Sequence, residues 1–283
     1  DADPAAVDDA VVGRDVAGRP DPARRRAQAR VAGDPAEVVV PFRVLPPPGG
    51  IVVVGDGEVP HHVGVFARIG LHDGGVVVPA LVVAAGFDHG DGDLARRQLA
   101  GERLALATAS HSGTDRHVAV VRGILDQAGL DESHLGCPAA WPTDTATRDE
   151  LVRELGSPQR IRMNCSGKHA GMLRTCLVNG WPTRGYLEPS HPLQRAILAT
   201  VADEVGPCGG VLTVDGCGAP VPAVPLDGLA RAIGRIAAGA DDPDRRRVAD
   251  AMRAHPHLVG GAGREASVLM KALPGVLAKD GAE

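Results

Sequence analysis

A compositional break near residue 108 limits what this chain can fold into more than any motif does. From residue 1 to 107 there is no Ser, Thr, Asn, Lys, Cys, Met, Tyr or Trp; the first Thr is Thr108, the first Ser is Ser110 and the first Lys is Lys168. The early stretch is written mainly in Ala, Gly, Val, Arg, Asp and Pro, as in GRPDPARRRAQARVAGDPAE and PPPGGIVVVGDGEVPHHVGV. Its Val runs at 38–40, 52–54 and 76–78 could each make a strand. No hairpin or helix pattern of useful length joins them, and the Asp/Pro/Arg-rich opening has the composition of an unfolded chain. Two readings stand side by side. One is a biased but genuine N-terminal domain. The other is a segment translated from a GC-rich gene in a shifted frame, which would enrich these residues and delete the rest. On either reading residues 1–100 carry little chemistry, and the organised domain runs over 101–283.

From residue 101 the local patterns agree with one another. Residues 104–108 form a short apolar run ending in the hydroxyl-rich turn Ala109-Ser110-His111-Ser112-Gly113. Val118, Val121, Leu125 and Ala128 recur at helical spacing and Gly129 closes them. Asp144-Thr145 caps a helix expected over 148–155, and another over 168–178 stops at Asn179-Gly180. Pro192 opens a helix through about residue 202, where its missing N–H costs little. Residues 210–214 read as a short buried strand running into Asp215-Gly216-Cys217-Gly218-Ala219-Pro220. Helices are expected at 226–238, 244–254 and 265–273, followed by a strand at 275–279. Helices segregated around a few strands predict an α+β domain.

Net charge near −5 gives no electrostatic case for nucleic acid or an anionic membrane. No run of 18 apolar residues and no basic-then-apolar leader is present, so neither a spanning helix nor a signal segment is expected. Five cysteines, Cys137, Cys165, Cys176, Cys208 and Cys217, are an odd number without a leader; that predicts a reducing cytoplasm rather than a disulfide framework.

The densest chemistry lies in Met163-Asn164-Cys165-Ser166-Gly167-Lys168-His169, at the start of a helix. Cys165 and Lys168, at i and i+3, share a helix face, and a helix N-terminus favours thiolate. Cys217, beside Asp215 on a strand-to-loop turn, is a plausible second thiolate, and two soft sulfurs with a nitrogen or oxygen donor suit Zn²⁺. Spacing alone leaves buried structural cysteines as the alternative. A Cys165–His169 dyad would lack a third, orienting group. Ser110 and Ser112 become nucleophiles only if a base takes the proton, and the chain has just three lysines to do so, Lys168, Lys271 and Lys279.

Together these motifs resemble the thiol- and zinc-containing asparaginases of the Rhizobium type, the asparaginase II family. The resemblance covers about residues 104–283 and rests on ATASHSG at 107–113, MNCSGKHAGML at 163–173, HPLQ at 191–194, VDGCGAP at 214–220 and AKDGAE at 278–283. It implies a fold like that of serine β-lactamases and penicillin-binding proteins, with helices packed on an antiparallel sheet. It also implies hydrolysis of L-asparagine to L-aspartate and ammonia through Ser/Lys acyl-enzyme chemistry. By the same resemblance Ser110 and Lys279 are the catalytic pair, and Cys165, Lys168 and Cys217 hold zinc with Asp215 alongside. Ser112, Ser166 and His169 are assigned to the substrate pocket. A homodimer is compatible with this family.

The departures are specific. The family's other pair is a Ser-x-x-Lys upstream of Ser110, and residues 1–106 hold neither residue type; the corresponding place reads VVVPALVVAAGF at 76–87. The family continues with further strands beyond AKDGAE, so the fold is expected to be incomplete at both ends and Lys279 to lie near a free sheet edge. Two alternatives to an asparaginase stay open: a non-catalytic metal- or ligand-binding relic of the family, and another serine acyl-transfer hydrolase, the latter by fold analogy alone.

Overall fold

The computed structural model describes residues 26–29, 40–43, 51–55, 65–67, 99–208, 210–239 and 242–280. The chain divides into two compact units, Asp1–Pro48 and Gly49–Glu283. The first holds an antiparallel pair, β1 (Arg26–Ala29) and β2 (Val40–Arg43), with Arg26 opposite Arg43 and Ala29 opposite Val40.

The second unit is a mixed α+β structure with a small antiparallel sheet. Strands β3 (Ile51–Gly55), β4 (Val65–Ala67) and β7 (Val276–Asp280) form a three-stranded sheet with β3 in the middle. The Val run at 52–54 thus does form a strand, and Val52 pairs in register with Lys279. The Val run at 76–78 lies outside the described residues. β7 has one strand neighbour among the described residues, so Lys279 stands half-buried on an edge strand of that sheet.

The core is helical. α1 (Gly101–Ala107) buries Leu104, Ala105, Leu106 and Ala107 in succession, which only a helix packed on several sides can do. It lies against α2 (Asp115–Gln127), α4 (Ser166–Val178) and α7 (Pro243–Ala254). The apolar run at 104–108 is therefore helical up to residue 107. Asp144 caps α3 (Thr145–Arg153), its carboxylate accepting from Thr147 N–H at 2.8 Å, so that helix starts three residues earlier than its apolar pattern suggests. α5 (Pro192–Val205) opens on Pro192, with His191 Nδ1 accepting from Leu193 N–H at 3.1 Å. α6 (Leu226–Ala238) ends at Gly239 in the left-handed region, φ 58°. A short α8 (Pro256–Val259) precedes α9 (Glu265–Ala272), which carries exposed Lys271 near its end. No helix among the described residues is long and apolar enough to cross a membrane.

One expectation needs correction. β5 (Leu212–Val214), read as a buried strand, is exposed along its length: Leu212 is 42% and Val214 67% accessible. It is the outer member of a two-stranded hairpin whose partner β6 (Pro220–Pro222) is buried. A three-residue apolar run cannot tell the inner from the outer strand of a ribbon. The burial goes to Val221 and its flanking prolines.

Candidate functional site: a buried sulfur, carboxylate and ammonium cluster

A 3-10 turn (Arg160–Arg162) delivers the chain to Cys165, the residue that caps α4. The Cys165 amide is used internally, 3.0 Å from Met163 Sδ, and the side chain is 1% exposed. Three residues on, Lys168 is also 1% exposed, the bulkiest fully buried side chain among the described residues. A lysine is almost never buried unless paired, and the partner comes from the hairpin: Lys168 Nζ donates to Asp215 Oδ2 at 2.9 Å.

The β5–β6 connection makes that pairing possible. Asp215 N–H donates to Ala219 O and Gly218 N–H to Asp215 O, each at 2.8 Å, which closes a tight turn with Gly218 at φ 88°. A positive φ there favours glycine. The turn holds Asp215 and Cys217 on its inner side, with Cys217 fully buried and its Sγ 3.3 Å from Asp215 Oδ2. One sulfur from each cysteine and a carboxylate oxygen of Asp215 lie within 4.8 Å of one another.

The electrostatics of the cluster are unusual. A hydrogen bond from Cys217 brings the Cys165 thiol down to about 6 against the resistance of burial, with Lys168 and the Ser110 hydroxyl helping. The same hydrogen bond, reinforced by burial, pushes Cys217 up, so Cys217 is the member that keeps its proton. Burial opposes the charge of Lys168, but Cys165, Cys217 and Asp215 outweigh it and hold the amine as an ammonium. Burial likewise opposes ionisation of Asp215, and Lys168 overcomes it. The lowered Cys165 thiol and the Asp215 carboxylate, set against the Lys168 ammonium, bias this buried site towards negative charge. Two sulfurs and a carboxylate within this span, with the Lys168 amine beside the carboxylate, fit a borderline-soft divalent cation such as Zn²⁺, which would displace the remaining thiol proton; Lys168 would have to give up its own to coordinate.

Ser110 approaches the cluster from a different part of the chain. The stretch after α1 runs extended between two backbones: His111 N–H donates to Asn164 O at 2.8 Å, and Ser112 O accepts from Asp144 N–H at 3.0 Å. This brings Ser110 Oγ to 3.5 Å from Cys165 Sγ. The closeness depends on Gly167, where a Cβ would stand 2.7 Å from Leu106 Cγ and 2.9 Å from Leu106 O. Gly113, at φ 73°, is similarly required, since a Cβ there would meet Arg162 O at 2.4 Å.

The other sequence candidates fall into three groups. Ser112 and Ser166 are buried, and their protons are committed: Ser112 donates to Gly260 O at 2.9 Å and Ser166 to Ile161 O at 2.7 Å. Ser166 Oγ stands 3.1 Å from His111 Nε2, at which the Gly167 N–H also points from 3.3 Å, while the Gly113 N–H points at His111 Nδ1 from 3.2 Å. His169 is fully buried, its Nδ1 2.6 Å from the Tyr186 hydroxyl. Lys279 stands half-buried on β7; Ser110 has Cys165 as a hydrogen-bonding neighbour. Sequence reasoning did not single out His111 or Tyr186. Tyr186 is the only tyrosine of the chain, a signal available where aromatic content is 2%.

A family model described as L-asparaginase II matches residues 88–283, well over half of the chain. This chain belongs to the L-asparaginase II family. The match leaves the compositionally biased beginning of the chain outside and contains every residue of the cluster just described. No curated protein matches the chain. Within an L-asparaginase II member, the motifs at 107–113, 163–173 and 214–220 thus converge on one buried place, while the lysine of the 278–283 motif sits on the edge strand of the sheet.

Proposed function

We propose that this chain is an L-asparagine amidohydrolase, acting through an acyl-enzyme on Ser110 within a domain of the serine β-lactamase and penicillin-binding-protein type. Family membership supports the reaction class. The observation that carries the site is the approach of Ser110 Oγ to Cys165 Sγ at 3.5 Å, which joins the hydroxyl turn to the sulfur cluster.

In this reading Ser110 Oγ attacks the side-chain amide carbon and its proton passes to the Lys279 amine. The C–N bond breaks and nitrogen leaves as ammonia, carrying that proton. Water then attacks the ester, L-aspartate departs and Ser110 regains its hydrogen. Oriented N–H donors would stabilise the oxyanion in both steps. Cys165, Cys217 and Lys168, with Asp215 beside them, would hold zinc. When bound, zinc supplies a fixed positive charge that orients polar groups of the substrate. Ser112 and Ser166 shape the pocket wall. A cytoplasmic location belongs to the same proposal; all five cysteines are free thiols.

A second reading is favoured by one specific fact, the absence of any Ser or Lys from residues 1–106 that could form the family's Ser-x-x-Lys pair. On that reading the chain binds metal and ligand without turnover. Ammonia release from L-asparagine separates the two. Turnover at roughly 1 s⁻¹ or more that disappears in Ser110→Ala supports the hydrolase. Calorimetric binding of L-aspartate without ammonia release supports the relic.

A further inference from the structure

His169 is a polar group left over by every hydrogen bond just described. Its ring is completely buried, yet Nε2 has no partner among the described residues. The opposite nitrogen explains what Nε2 must be. Tyr186 Oη accepts the Gly136 N–H at 2.8 Å and stands 2.6 Å from His169 Nδ1. A phenol has one proton. If His169 donated through Nδ1, the Tyr186 proton would be left with no acceptor in a buried place. If Tyr186 donates to Nδ1, the Gly136, Tyr186 and His169 groups are all satisfied up to Nε2, which then carries the imidazole proton. The chain Gly136 N–H, Tyr186 O–H, His169 fixes the tautomer as Nε2–H.

The arrangement is built rather than incidental. A glycine at 136 leaves room for the phenol to reach that amide, since a Cβ there would lie 3.0 Å from Tyr186 Oη and 2.7 Å from Leu187 Cδ1, and one or both would have to give. His169 is one helical turn from Cys165, whose carbonyl accepts the His169 N–H at 3.0 Å, so the two side chains share a face of α4. The Cys217 turn packs close by, since a Cβ on Gly218 would touch Leu187 Cδ1 at 3.7 Å and lie 4.0 Å from Gly136 O. His169 is not one of the three clustered metal donors, Cys165, Asp215 and Cys217. A buried N–H with no acceptor is costly, and an oxygen brought to it removes that penalty.

We propose that His169 Nε2–H is a substrate-binding donor that takes a carboxylate or amide oxygen of the amino-acid ligand, and that Tyr186 is a positioning residue that holds the ring in the donating tautomer. The proposal rests on the amidohydrolase reading above for its ligand. The experiment uses full-length protein with ¹⁵N-labelled histidine, the His169 signals assigned by their absence from His169→Gln, and L-aspartate as the probe. An Nε2–H tautomer in the wild type, with the Nε2 resonance moving when L-aspartate is added, supports it. An Nδ1–H tautomer, or an Nε2 resonance that stays fixed while calorimetry records L-aspartate binding, overturns it. Tyr186→Phe should relax the tautomer and weaken L-aspartate binding by about tenfold; wild-type affinity in a folded Tyr186→Phe protein overturns the positioning role. Should that variant fail to fold, the wild-type spectra with and without L-aspartate decide. Absence of any L-aspartate binding by the wild type rejects the amidohydrolase reading and the ligand assigned to His169 with it, whereas a fixed resonance during binding rejects the His169 contact alone.

Discussion

Around His111 the polar groups are neutral and tie backbone segments together. Ser166 donates to Ile161 O and stands 3.1 Å from His111 Nε2, the Gly113 and Gly167 N–H groups point at the two ring nitrogens, and the ring stacks on His117 at 4.8 Å between centroids. His117 in turn lies within hydrogen-bond distance of Thr114 through Nδ1 and of His257 O through Nε2. Around Cys165 the opposite holds. The Cys217 proton has two competing acceptors, the Cys165 sulfur and Asp215 Oδ2, and the charges do not cancel. Both regions are buried and rich in groups that could do chemistry. A neutral network bonded to the main chain serves to hold backbone in place, whereas a buried cluster with uncompensated charge has free energy to gain from a ligand. Density of reactive residue types separates the two poorly; the charge they carry separates them well.

Several experiments would break or sharpen that contrast. The largest effect is expected from metal. Purified protein should retain about one equivalent of zinc, and Cys217→Ala should abolish retention, whereas Ser166→Ala should not. Metal-free wild type whose Cys165 and Cys217 thiols are both freely alkylated would remove the site. Next in size is the ion pair: in chelator-treated protein Asp215→Ala should destabilise by about 3–5 kcal/mol in urea unfolding, because the buried Lys168 ammonium loses its hydrogen-bonded carboxylate. A loss under about 1 kcal/mol would mean the pair is solvated.

The histidine region should answer to acid instead. Burial, only partly offset by the hydrogen bond to His257, lowers His117 to about 4 from an ordinary value of 6.5, and burial likewise lowers His111. The unfolded chain therefore takes up these protons first. The His117 contribution is complete above pH 6.5 and is lost as pH falls towards 4, and His111 adds to the loss in the same direction. His117 alone should cost about 2 kcal/mol of unfolding free energy between pH 7.5 and 5. Stability that does not fall over this interval would contradict a neutral, buried His117. The smallest effect belongs to Ser112→Ala, which removes the bond to Gly260 O; about 1 kcal/mol with zinc content unchanged is the expected outcome.

The longer helices from residue 115 onward were legible because apolar spacing, Asp144, Pro192 and Asn179-Gly180 all act locally, whereas α1 read only as a short apolar run and the four-residue α8 is too short for a periodic pattern. The exposure of β5 was not, since an inner and an outer hairpin strand carry the same short apolar pattern. Cys165, Lys168, Asp215 and Cys217 could be grouped from motif order, and they do lie together; their charge state could not be read, because it depends on burial and on which sulfur keeps the proton. Ser110 and Lys279 were paired in advance, but the distance between them is a matter of tertiary placement that no spacing conveys. Tyr186 was missed because its partners, Gly136 and His169, are 50 and 17 residues away.

Gly167 adds a last consequence. Because a methyl there would collide with Leu106, the distance between the turn bearing Ser110 and the helix start bearing Cys165 is set by an atom that is missing. A side chain at residue 167 would press on Leu106 and so on the turn that follows it, away from the helix start. A lineage that altered residue 167 would have to re-space both chemistries at once, so this inconspicuous position is the gauge block of the whole assembly.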